Sequence, residues 1–131
     1  MKFHRLVLFL VTTAMTALLA GCAGLGSAPP IAVAFTAGLT PPTSMEASAN
    51  VNVAATVTND PARAGVNLTV TCGGDPCGSF DTPNPVASGS PVIYHAPDSV
   101  PTDDTVTLTA TSVTDTTKSV SAIVTITQNP K

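Results

Sequence analysis

The side chains in this 131-residue chain that could do chemistry are few, and most stand alone. Cys72 and Cys77 form a C-x4-C pair around Gly73-Gly74-Asp75-Pro76, and Cys22 follows an apolar run near the N-terminus. Two neighbouring thiols can make a disulfide or hold a metal ion. His95 is the one histidine beyond that apolar run, and with it the pair lacks the ligand set of a zinc site. Asp98, Asp103 and Asp104 flank one loop, and Asp60 and Asp115 lie in others. Loop carboxylates can supply oxygen ligands to calcium, but no ordered EF-hand spacing is present. Asp beside Pro and Gly is also ordinary turn chemistry, and that plainer reading is the one expected here. Serine and threonine are abundant, yet a nucleophile needs an activating partner. No Gly-x-Ser-x-Gly, phosphate-binding loop or paired-carboxylate motif appears. A catalytic role is therefore not expected, and His95, next to Tyr94, reads as a structural or surface residue.

The segment that decides location comes first in the chain. Lys2 and Arg5 precede Leu6-Val7-Leu8-Phe9-Leu10-Val11, and the run stays apolar or small as far as Ala20. A basic start, a short apolar core and small residues before the cut describe a secretory signal. The unbroken apolar part is shorter than the ~20 residues that cross a bilayer.

Leu19-Ala20-Gly21-Cys22 resembles the lipobox of bacterial lipoproteins. The resemblance implies that Cys22 is acylated and becomes the new N-terminus, with residues 1–21 removed as the signal peptide. The alternative is an ordinary signal, cleaved after Ala20, with a Cys behind it by chance. One acyl chain binds a membrane only marginally; lipoproteins of this type carry three, which implies a permanent anchor. Ala23 stands where an Asp would favour retention in the inner membrane, so the resemblance implies the cell envelope and an outer-membrane location. Assigning Cys22 to lipid leaves Cys72 and Cys77 to pair, and in an oxidising compartment a disulfide is expected. Closing so short a loop constrains the unfolded chain by roughly 2 kcal/mol. Its expected role is to shape the Gly73–Pro76 turn.

Removal of the signal leaves a chain of one-domain size. Phe35, Phe80 and Tyr94 are its only aromatics, so its core must be built from Val, Ile, Leu and Ala. Arg63, Lys118 and Lys131 oppose eight acidic side chains. Nothing resembles the basic stripe that nucleic-acid binding needs, and that partner class is excluded. Residues 22–30, rich in Gly, Ser and Pro, read as a short flexible tether that keeps the domain near its membrane.

From residue 31 to 131 the pattern is strand after strand. Ile31, Val33 and Phe35 alternate with small or polar residues, and Ala49, Val51, Val53, Ala55 and Val57 do the same over one long stretch. Val66, Leu68 and Val70 follow, then a short strand or bend from Cys77 to Phe80, and Val92-Ile93-Tyr94-His95 after a Pro/Ser-rich crossing. Val106, Leu108 and Ala110, then Val120, Ala122, Val124 and Ile126, complete the set. Period two marks strands with one buried and one wet face. About seven strands in roughly a hundred residues predict an all-β fold, an antiparallel β-sandwich.

Several blocks are similar to those of bacterial Ig-like (Big-type) domains. They are Ala54–Asp60, Gly65–Cys72, Cys77–Phe80, Tyr94–Pro97, Val106–Val113 and Ser121–Thr127. The resemblance implies a single Ig-like sandwich over 31–131, with no catalytic residues and no cofactor to carry over. Two departures are visible: Leu68 stands where related domains often have Trp, and Cys72 and Cys77 are too close to be an inter-sheet pair. The resulting expectation is an anchored binding or adhesion module. Its partners would be the membrane, through the N-terminal lipid, and a protein or glycan. The alternative is a structural accessory lipoprotein docking on a larger envelope assembly.

Overall fold

The computed structural model of the chain describes residues 26–130; the stretch 1–21 read above as a signal peptide, Cys22 and the first part of the expected tether lie outside the described residues. The described chain is an all-β sandwich of nine strands. They are β1 (Ala32–Phe35), β2 (Ser44–Glu46), β3 (Asn50–Val53), β4 (Ala55–Thr58), β5 (Val66–Cys72), β6 (Ser79–Phe80), β7 (Val92–His95), β8 (Thr105–Ser112) and β9 (Ser119–Thr127). One layer has the order β2-β9-β8-β5. The other holds the pair β1-β4 and the ribbon β3-β7-β6.

The alternation of the sequence becomes the two faces of each strand. Along β8, every second residue (Val106, Leu108, Ala110, Ser112) is buried, while the intervening threonines reach the surface. The same rule puts Val124 and Ile126 of β9 inside, in register with Val106 and, through β2, with Met45.

Two features depart from the simple reading. The stretch 49–57 does not form one strand but two, with different partners: β3 pairs with β7, and β4 with β1. The break is Ala54, whose N–H donates to Leu39 O at 2.9 Å and whose carbonyl accepts from Thr36 N–H at 2.8 Å. The turn that follows β1 therefore occupies the backbone groups that a continuous ladder would use. The second feature is β2, three residues with no legible pattern, which runs parallel to β9 in an otherwise antiparallel arrangement. It is set by bonds on either side of it, Thr125 N–H to Thr43 O at 3.0 Å and Ala47 N–H to Thr127 O at 2.8 Å.

The core has two halves. One gathers Val53, Tyr94, Val106, Leu108, Val124 and Ile126. The other gathers Ala55, Val57, Val66, Leu68, Val92 and Ala110, with Ile31, Val33 and Phe35 packed against it. Phe80 touches both, and its ring lies 5.4 Å from that of Tyr94 at an interplanar angle of 55°, within the range of favourable aromatic pairs.

Candidate functional site

The strand directions sort the loops onto two ends. The tether, the β4–β5 loop, the β6–β7 crossing and the β8–β9 turn share one end, since Ala32 faces Thr58 and Val66 faces Ser112. The β2–β3, β5–β6 and β7–β8 loops share the other, where Cys72 faces Val106 and Asn50 faces His95.

The disulfide end carries most of the residues singled out in the sequence. Cys72 and Cys77 are bonded, with Cα atoms 5.5 Å apart, an ordinary disulfide spacing. The loop they close rests on its neighbours by close backbone approach. A Cβ at Gly73 would collide with the Asp103 carboxylate, and one at Gly78 would collide with His95 O and the Tyr94 hydroxyl. Gly78 also has φ +83°, a conformation that favours glycine. Tyr94 is wholly buried, and its hydroxyl donates to Cys77 O at 2.6 Å. Burial disfavours the phenolate and pushes the Tyr94 hydroxyl up to about 12.

An open depression of about 470 Å³ lies beside this loop, lined by Asp75, Pro76, Ser79, His95, Pro97 and Asp98 among others. His95 Nδ1 is 2.7 Å from Asn50 Oδ1 across the strand pair, so one ring nitrogen is already engaged. Asp98 accepts from the Ser48 hydroxyl at 3.1 Å. Asp103 lies against Gly73, and the Asp104 carbonyl accepts from Ile126 N–H at 2.8 Å. Among the described residues no three His, Cys, Asp or Glu side chains converge as metal ligands would. The aspartates named as calcium candidates are split between the two ends.

At the tether end, Asp60 and Asp115 organise turns. Asp60 accepts from the Thr114 hydroxyl at 2.8 Å and from the N–H groups of Ala62 and Ala64 at 3.0 Å. The Thr114 bond, then these backbone bonds, hold its carboxyl below the usual carboxylate range. Asp115 is lowered likewise, chiefly by the Thr117 hydroxyl at 2.6 Å and then by the Thr117 N–H. A groove of about 710 Å³ runs along this end, with Ala28 and Pro29 of the tether in its wall.

Two residues that sequence reading did not single out act as structural clamps. Asn84 reads the edge of β5 like a strand, accepting Leu68 N–H at 2.7 Å and donating to Leu68 O at 2.8 Å. Ser88 accepts Val57 N–H at 2.8 Å. The Asn84-Pro85 dipeptide marks a turn, but nothing local tells which strand its amide meets.

Comparison of the chain with protein-family models, with curated proteins and with solved structures finds no match. Among the described residues no helix is long and apolar enough to cross a membrane.

Proposed function

We propose that this chain is a lipid-anchored, non-catalytic lipoprotein of the outer membrane whose Ig-like domain binds a protein or glycan partner as an adhesion module. The observation that carries the Ig-like part is strand order. With β3 and β4 read as one interrupted strand, one layer runs β1, β4/β3, β7, β6 and the other contains β5, β8 and β9. This is the ABED-against-CFG arrangement of the immunoglobulin sandwich, with β2 as an added parallel strand on the last of them. Such a scaffold supplies two sets of loops on a rigid frame, which favours recognition over chemistry.

The anchoring part rests on Leu19-Ala20-Gly21-Cys22 behind a basic and apolar run. The non-catalytic part is supported by His95, engaged with Asn50, and by the scatter of the carboxylates.

The test is fractionation and protease accessibility on intact cells, with lysed cells and a Cys22→Ser variant alongside. The native protein is expected in the outer-membrane fraction and digested on intact cells, and Cys22→Ser is expected to be released. Unchanged fractionation of Cys22→Ser would overturn the anchor. Protection until lysis would overturn surface display.

A further inference from the structure

The described cations and carboxylates of this domain are not spread evenly between its two ends. Arg63 and Lys118 both lie at the tether end, in the β4–β5 loop and the β8–β9 turn, with Asp60, Asp115 and, in the β6–β7 crossing, Asp81. The opposite end carries Glu46, Asp75, Asp98, Asp103 and Asp104, with no lysine or arginine among its described residues. At the tether end two cations offset most of the three carboxylates, whereas the five carboxylates of the opposite end have no described cation beside them.

The tether is also fixed at the end that carries these cations. The Asn59 side-chain amide donates to Pro30 O at 2.9 Å. Ala28 and Pro29 run along the groove beside Val57, Pro61, Ala87 and Ser88. Ala28 is six residues beyond Cys22, a reach of about 20 Å even when fully extended. The sandwich is longer than that, since the nine residues of β9 alone span roughly 30 Å.

From these observations we infer that the tether end, the β4–β5 loop and β8–β9 turn included, rests against an anionic phospholipid headgroup surface, with the acidic end held outward. The inference rests on acylation of Cys22. The leash is too short, and attached at the wrong end, for the acidic loops to come down to the bilayer without tearing Ala28–Pro30 from the groove. Electrostatics act in the same direction. An anionic surface attracts basic groups within about a Debye length and repels the acidic end. The surface left for a partner is then the disulfide end, with the depression between the Cys72–Cys77 loop and the β7–β8 loop facing outward.

The chain has no tryptophan, so one introduced residue becomes a unique reporter. Thr116→Trp places it in the exposed β8–β9 turn, and Thr102→Trp in the exposed β7–β8 loop. The full acylated protein, prepared in phosphatidylglycerol/phosphatidylethanolamine vesicles bearing a headgroup-attached quencher, is expected to show several-fold stronger quenching for Thr116→Trp than for Thr102→Trp. Ala62→Trp and Ser99→Trp repeat the measurement should either turn not tolerate the ring. Equal quenching at the two ends, or stronger quenching at the acidic end, on a protein whose intact mass carries the acyl chains would overturn the orientation alone. An unacylated Cys22 would overturn the anchor and the orientation with it.

Discussion

At the end of the sandwich away from the tether, the chain is closed by a covalent bond and a buried phenol. At the tether end, the closures are Asp, Asn and Ser side chains capping backbone groups on exposed turns. Both ends terminate the same kind of strand, but they fail in different ways. Tyr94 brings a large buried surface and a hydrogen bond to Cys77 O, and the disulfide limits what the unfolded chain can explore. The bonds of Asp60 and Asp115 are water-exposed, individually small, and depend on the carboxyl being ionised. The core beneath follows the same division. Both halves are mostly Val and Ala, but the half behind the disulfide holds the wholly buried Tyr94, whereas Phe35, packed on the half behind the tether, is only partly buried. A domain built this way is expected to open first at its tether end.

The largest effect that would break this comparison is at Tyr94. Tyr94→Ala removes the biggest fully buried side chain, and a loss of about 3–5 kcal/mol is expected in urea unfolding. A loss below 1 kcal/mol would mean that the phenol does not anchor its end. Next comes the disulfide. Replacing Cys72 and Cys77 together by Ser is expected to cost about 2 kcal/mol, the loop-closure entropy of so short a ring. Hydrogen exchange should show the change confined to the loops beside it, and a change spread to the tether end would contradict the division.

The smallest effect separates the ends by pH. The Tyr94 pKa is raised by folding, so its contribution is present below the ordinary value of 10.0 and is lost as pH rises through about 12. Tyr94→Phe should remove that alkaline loss. The carboxyls of Asp60 and Asp115 are lowered by folding, so their contribution is present above the ordinary value of 3.8 and is lost as pH falls below it. Asp60→Asn with Asp115→Asn should flatten the acid limb while leaving the alkaline one unchanged. Were the two sets of substitutions to affect both limbs alike, the ends would not be independent.

Much of this was legible in the residues, because strand patterning is local. Val106-x-Leu108-x-Ala110 and Val120-x-Ala122-x-Val124-x-Ile126 state which face is buried without reference to any partner. The Cys72–Cys77 disulfide agrees with the pairing expected once Cys22 is read as the lipid site. The division of 49–57 at Ala54 was not, because alternation runs through it unbroken: Val53 and Ala55 both point inward. What interrupts the strand is the turn around Thr36 and Leu39, many residues earlier in the chain. Nor was β2 legible, since Ser44-Met45-Glu46 acquires its direction only from β9. Asn84 and Tyr94 belong with these: their types allow a hydrogen bond, and only the packed structure supplies Leu68 and Cys77 as partners.

By itself the sequence determined the class of the fold and the inward faces of the main strands, which follow from composition and short-range spacing. The tertiary structure decided which strand lies beside which, where a strand changes partner, and that the acidic loops gather at the end opposite the tether. Those facts depend on contacts between residues distant along the chain, and period two carries no information about a strand's neighbours.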